Sequence, residues 1–322
     1  MARKTVVVAL GGNAIKQADE KGTAEEQRRN VAITCEQLVK LLKKGYRLVI
    51  THGNGPQAGN LLIQQEAGAG EVPPQPLDIV GAMTQGQIGY MFQQTLQNML
   101  WREKLPIPVA ALVNQVLVSE DDPDYQDPSK PVGPFYTKEE AAKIKAERPD
   151  YIIKEVKPAN VEKRFRRVVP SPDPLKNIEY DAVRRMVNSG IIVVCSGGGG
   201  VPVIYRGDDL EGTAAVIDKD KAGEKLAEVV GADKFLILTD VDHAKINFGS
   251  PEEKNVECIT YSAMKKLYDQ GHFKAGSMGP KVLACLRFLA WGGQESIITS
   301  LDKAVDALAG KCGTRIIPDP VC

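Results

Sequence analysis

The sequence predicts an α/β fold built on a mainly parallel sheet with helices on both faces. Three observations predict it. Strand-type apolar runs alternate with helical segments over most of the 322 residues, and such alternation implies parallel strands joined by crossover helices. Glycine-rich turns follow directly on the carboxyl ends of several of those runs, where open α/β sheets bind their ligands. Hydrophobic residues make up 43% and charged residues 25% of the chain. That is the mixture of an ordinary globular protein, long enough for a large core in one or two domains.

The elements follow in order. Residues 5–10 form the first strand. The next helix starts at Thr23, with Glu26 three residues on completing a capping box. Its apolar stripe is Val31, Cys35, Leu38, Val39 and Leu42. Gly45 stops it, and residues 46–50 form the second strand. Pro56 fits the first turn of another helix. A longer helix covers about 77–100, although Gly81, Gly86 and Gly89 weaken it. Residues 109–118 read as one strand. Helix 178–188 then leads to strand 191–195, and helix 219–230, ended near Gly231, leads to strand 235–239. A helix from Pro280 that ends before Gly292 leads to strand 296–299, and a short helix near 301–309 precedes a last strand, 314–317.

Residues 119–174 break this rhythm. They hold nine of the twenty prolines, together with Tyr125, Phe135, Tyr136 and Tyr151. That is too long for a plain loop. Its β-like stretches, 151–156 and 165–169, favour a small lobe inserted into a single 1–322 domain over a disordered excursion.

Charge and cysteine usage narrow the partners. The net charge is zero, which argues against nucleic acid or an acidic membrane surface. The one basic run, Lys163-Arg164-Phe165-Arg166-Arg167, reads as a solvated strand or loop face. Six cysteines are scattered without a C-x-x-C pair, and the three histidines are not spaced to join them at zinc. Cys35 and Cys195 fall within apolar patterns, and free buried thiols suit a reducing cytoplasm. The N-terminal apolar run is too short for a signal peptide, and no stretch approaches the roughly 20 apolar residues of a membrane span.

The chemistry points to phosphate. Four turns carry the glycines: Leu10-Gly11-Gly12-Asn13, Thr51-His52-Gly53-Asn54-Gly55, Ser196-Gly197-Gly198-Gly199-Gly200 and Ala275-Gly276-Ser277-Met278-Gly279-Pro280-Lys281. Glycine lets backbone N–H groups approach an anion closely. There is no P-loop motif, and the G-x-G-x-x-G pattern fails at Pro202, so the phosphates are held by another arrangement. Phosphoryl transfer needs positioning and positive charge more than covalent help. Three lysines stand at such turns: Lys219, Lys281 at a helix start, and Lys130 in the lobe. Taken singly, each reads first as a surface charge; standing at the same kinds of turns as the glycines is what raises these three. Asp220 could hold Lys219 in place, while Asp218 or Asp220 could cap the following helix. Asn13 and Asn54 could donate to phosphate or substrate, or serve tight turns. His52 is a candidate general base or a structural histidine at a strand end.

Val8-Ala9-Leu10-Gly11-Gly12-Asn13-Ala14, His52-Gly53-Asn54-Gly55-Pro56-Gln57, Ser196-Gly197-Gly198-Gly199-Gly200-Val201-Pro202, Ile217-Asp218-Lys219-Asp220, Leu238-Thr239-Asp240-Val241 and Gly276-Ser277-Met278-Gly279-Pro280-Lys281 together resemble the carbamate kinases of the amino acid kinase superfamily. Ser129-Lys130-Pro131-Val132-Gly133-Pro134-Phe135-Tyr136 and Gly310-Lys311-Cys312-Gly313-Thr314 add to the resemblance, which spans nearly the whole chain. It implies a three-layer αβα sandwich with a protruding subdomain, a homodimer, and the reaction ATP + carbamate ⇌ ADP + carbamoyl phosphate with Mg²⁺. By this resemblance Gly11, Gly12 and Asn13 would hold the phosphates in transfer, and Gly53 and Asn54 the carbamate. Lys219 and Lys281 would neutralise the phosphoryl charge, Asp220 would orient the lysines, and Lys130 would reach in from the lobe. Gly198, Thr239, Asp240, Val241, Gly276 and Met278 would lie near the nucleotide. The family's usual role is making ATP in arginine catabolism. The competing readings are a related kinase acting on an acylated amino acid or a nucleoside monophosphate, and a non-catalytic nucleotide or metabolite sensor on this fold.

Overall fold

The strand Thr5–Leu10 is buried along its whole length and feeds two cores at once. Val6, Val8 and Leu10 pack with Leu38, Leu48 and Phe92 on one face. Val7 and Ala9 pack with Val183, Phe235 and Phe288 on the other. A strand covered on both faces is written as a continuous apolar run, which is why it reads clearly in the sequence. The computed structural model describes residues 3–17, 19–156, 162–274 and 276–320; Ala275, in the fourth glycine turn, and Cys322 lie outside the described residues.

Eight strands form one sheet in the spatial order Cys258–Thr260, Thr314–Ile317, Glu295–Ser300, Lys234–Thr239, Thr5–Leu10, Arg47–His52, Ile192–Val194 and Val109–Ala111. Neighbours run parallel except Glu295–Ser300 against Thr314–Ile317. Helices Ala24–Lys43, Leu77–Arg102 and Ala304–Leu308 cover one face. Helices Tyr180–Asn188, Lys219–Val229, Tyr261–Asp269 and Met278–Trp291 cover the other. The result is a three-layer αβα sandwich. The capping box expected at Thr23 and Glu26 is present.

Residues 109–118 are not one strand. The backbone of Asn114 bonds the Gln85 side chain through both its N–H and its carbonyl, at 3.0 and 3.2 Å. These bonds interrupt the run beyond Val109–Ala111, and Gln115–Leu117 joins a second sheet instead. That sheet also holds Lys176–Asn177 and the hairpin Val201–Arg206 with Asp209–Gly212. The helix assigned from Pro280 begins two residues earlier, at Met278.

The lobe has its own sheet, with Phe165–Val169 in the middle, flanked antiparallel by Lys130–Tyr136 and Ile152–Glu155. Helix Lys138–Glu147 accompanies it. Because Phe165–Val169 is the central strand, Arg166 and Arg167 are half-buried and not the solvated face the basic run suggested. Val132 and Val169 pack on Leu62 and Leu77 of the main body, and the Tyr136 hydroxyl donates to Glu66 at 2.6 Å. Among the described residues no helix is long and apolar enough to cross a membrane.

Strand Arg47–His52 extends past its apolar run because His52 pairs with Leu10. The His52 ring is 2% exposed, stacks on Phe92 with centroids 6.1 Å apart, and directs Nδ1–H at the Gly53 carbonyl, 2.9 Å away. Burial, aided by the Lys219 ammonium, outweighs that hydrogen bond and pulls its pKa down to about 4. An unfolded histidine titrates near 6.5. Between about pH 6.5 and pH 4 the unfolded chain therefore takes up a proton that the native chain refuses, and the fold loses stability as pH falls through that window. His52 accounts for about 3 kcal/mol of that loss. Chemical unfolding at pH 7 and pH 4.5 should show a smaller acid loss in His52→Gln than in the wild type. An NMR titration in which the ring protonates near its ordinary value would overturn this.

Candidate active site

Two helix starts converge at the carboxyl ends of the central strands. Helix Lys219–Val229 opens at Asp218, whose carboxylate accepts from the backbone N–H of Asp220 and Lys221, at 2.9 and 3.4 Å. Asp218 is therefore the cap, which leaves Asp220 free for the lysines. Lys219 Nζ lies 2.7 Å from Asp220 Oδ1, and Lys281 Nζ, from the first turn of Met278–Trp291, lies 3.1 Å from Oδ2. Asp220 is 2% exposed. Burial alone would raise its pKa; attraction and hydrogen bonds from the two ammonium groups prevail and hold it below the ordinary carboxylate value. Lys130 reaches in from the lobe, its Nζ 3.5 Å from Asp218 Oδ2.

Three adjoining clefts meet at this triad. The first, about 360 Å³, runs between lobe and body and is lined by Gly12, Gly53, Asn54, Lys130, Lys219 and Lys281 among others. The second carries Gly11, Gly12, Asn13, Lys219, Thr239, Asp240 and Lys281. The third carries Thr239, Asp240, Val241 and Lys281 with the apolar side chains of Phe248, Phe273 and Met278. Lys281 faces all three, and Gly12 and Lys219 face the first two. The series is one groove: an end under the lobe, a cationic middle over glycine backbone, and an end walled by Phe248, Phe273 and Met278. Two helix N-termini add favourable dipoles at the middle.

The four candidate catalytic residues and the candidate substrate- and nucleotide-binding residues singled out in the sequence all line this groove, whereas His52 does not. Gly198 and Gly276, grouped there with the nucleotide set, instead line the lobe-side cleft with Lys130 and Asn54. Gly198 has φ +66°, and a Cβ there would lie 2.1 Å from Asn54 Nδ2. Asn54 donates to Thr84 Oγ1 at 2.9 Å. His52 is sealed behind the turn and offers no ring nitrogen to the cleft, so the structural reading holds and the general-base reading does not.

Two features escaped sequence reading. Ser196, with φ +53°, starts the glycine run. Its hydroxyl accepts from Asn114 and Asn177, each at 3.3 Å, and its carbonyl accepts from Thr51 at 2.9 Å. These partners lie far apart in sequence, so no local pattern could have shown them. Arg166 lines the lobe-side cleft; its signal was the basic run.

The family model described as "Amino acid kinase family" matches residues 4–300. The chain is 52% identical to a carbamate kinase of Thermococcus kodakarensis, over 98% of this chain and 99% of that one. It is 49% identical to one from Pyrococcus furiosus over the same shares. A solved carbamate kinase from Giardia lamblia bound to AMP-PNP superposes with a TM-score of 0.94 at 46% identity, covering 99% of both chains. Similarity of this depth along the whole length, with the glycine turns and the Lys219–Asp220–Lys281 triad brought to one groove, places the chain in the amino acid kinase family, among the carbamate kinases.

Proposed function

We propose that this chain transfers a phosphoryl group between ATP and carbamate, ATP + carbamate ⇌ ADP + carbamoyl phosphate, at the Lys219–Asp220–Lys281 triad. The observation that carries the reading is the paired ammonium groups where the three clefts meet. The nucleotide lies along Thr239, Asp240, Val241 and Met278; the similar Giardia enzyme was solved bound to AMP-PNP. Gly11, Gly12 and Asn13 cradle the transferring phosphate, and Gly53 and Asn54 hold the acceptor. A carbamate oxygen attacks the γ-phosphorus as its bond to the bridging oxygen breaks, and ADP leaves with those electrons. Carbamate arrives ionised, so no general base is needed. Negative charge spreading over the moving group is met by Lys219 and Lys281, held rigid by Asp220.

Full-length relatives near half identity are carbamate kinases, which disfavours a larger acylated amino acid, a nucleoside monophosphate, or a sensor role. Mg²⁺ enters with the nucleotide in this reading. Among the described residues no cluster of three His, Cys, Asp or Glu could cage a metal, while Asp240 and Asp302 line the phosphate cleft and can meet an ion carried on the phosphates. When bound, the ion offsets phosphate charge. The lobe, residues 119–174, acts as a lid that encloses a tiny acceptor and excludes water. The same proposal includes a cytoplasmic enzyme that makes ATP in arginine catabolism, and a homodimer. Exposed Ile79, Met83 and Tyr90 on one face of Leu77–Arg102 support the dimer; a sedimentation mass of one chain would refute it.

A coupled assay should show ATP formed from ADP and carbamoyl phosphate, with activity lost in excess EDTA. Phosphorylation of an amino acid derivative but not carbamate would refute the reading. Lys219→Ala and Lys281→Ala should each lower kcat by about 10²–10³ in a folded protein; near-normal turnover would remove that lysine from the mechanism. Lys130→Ala should raise KM for carbamoyl phosphate far more than KM for ADP. Unchanged constants would leave the lobe a spacer and Lys130 a solvated charge.

A further inference from the structure

Arg166 stands opposite a break in the lobe's ladder. Val132 pairs with Arg167 and Tyr136 pairs with Phe165, so Gly133, Pro134 and Phe135 together face the single residue Arg166. A bulge of this kind bends its strand and re-aims side chains, and such bulges gather beside active sites. Gly133 takes φ +68°, and Pro134 has no N–H to give to a ladder. The turned carbonyl of Gly133 accepts from Arg166 Nη2 at 2.6 Å, and the guanidinium lies 4.7 Å from the Phe135 ring. These contacts fix the guanidinium plane but do not neutralise it.

No carboxylate of the described residues pairs with Arg166, whereas its lobe neighbours Arg148 and Arg164 pair with Asp150 and Glu155. Its Nε is buried without a hydrogen-bond partner. Burial draws the guanidinium below its usual range, the sign expected of a cation whose counter-charge the protein does not supply; an arginine stays charged all the same. The lobe-side cleft thus presents four cations, Lys130, Arg166, Lys219 and Lys281, against two carboxylates, Asp218 and Asp220. The surplus of two positive charges matches a dianionic phosphate. A half-buried cation that lines a cleft and has no counter-charge from the protein can take one from an anion in solution.

We propose that Arg166, presented by the Gly133–Pro134–Phe135 bulge, is a second anion-binding residue of the lobe and holds carbamoyl phosphate, the phosphoryl donor in the ATP-forming direction. This rests on the phosphoryl-transfer reading. The planar fork supplies what a lysine cannot, two parallel N–H donors to one anionic group.

Arg166→Gln keeps a donor for the Gly133 carbonyl and removes the charge. It should raise KM for carbamoyl phosphate roughly ten- to a hundred-fold, the range for a lost hydrogen bond to a charged group, while KM for ADP stays within about two-fold of the wild type. Arg166→Lys should recover part of the affinity. Phe135→Leu, which removes the stacking ring and no charge, should give a smaller rise of the same selectivity. Wild-type constants in Arg166→Gln would overturn the proposal and leave Arg166 a tether for Gly133; so would an equal rise in both KM values. Calorimetry with inorganic phosphate and nucleotide-free protein reads the site without turnover: weaker binding in Arg166→Gln supports it, and equal affinity overturns it. A wild type that makes no ATP, yet binds phosphate through Arg166, would refute the carbamate reading and the carbamoyl phosphate assignment and leave only the anion site.

Discussion

Asp220 is buried between Lys219 and Lys281, and the groove depends on that arrangement. A carboxylate taken out of water is costly unless both its oxygens find charged partners. Here each oxygen has one, and each partner comes from the first turn of a different helix. The two helices pack along their length through Leu226, Ala227, Val282 and Leu286 within one core. The ion triad therefore sets the spacing of the two cations to the precision of a packed interior. In the proposed reaction a phosphoryl group in transfer would meet charges already in place, with no reorganisation left to make.

The sheet supplies the rest of the positioning. Thr5–Leu10 sits at its centre, with Lys234–Thr239 on one side and Arg47–His52 on the other, all parallel. Parallel register brings three turns to one edge: Gly11–Gly12, Gly53–Asn54 and Thr239–Asp240. The Ser196 network anchors the glycines that follow Ile192–Val194 from behind, through Thr51, Asn114 and Asn177. The lobe then approaches from the open side through the small apolar contact of Val132 and Val169 with Leu62 and Leu77. The large cores carry the helices' N-termini, and this small one carries the cleft's other wall.

The sandwich was legible because its central strands are buried on both faces and so are written as unbroken apolar runs. The helix Ala24–Lys43 was legible from its cap and stripe. Residues 109–118 misled because the interruption at Asn114 is made by Gln85, a partner on a different helix. Lys219 and Lys281 could be nominated from their turns, but their shared carboxylate joins positions 61 residues apart, and only the resemblance implied it. Arg166 was hidden for a similar reason. Its burial comes from being in the middle strand of the lobe sheet, and its aim comes from a bulge on the neighbouring strand. In the local sequence only the basic run and the Gly133-Pro134 pair mark them.

Gly12 and Gly198 are required by different things. A Cβ on Gly198 would collide with Asn54, whereas a Cβ on Gly12 would meet no atom within 4 Å. The chain itself has room for a methyl group at Gly12; the space belongs to what the groove accommodates. A screen that ranks variants by melting temperature would pass Gly12→Ala as harmless and flag Gly198→Ala. A screen that ranks them by growth on the product of the reaction would reject both. The two glycines look alike in the sequence, but folding constrains Gly198, whereas under the proposed function the constraint on Gly12 would come from the ligand.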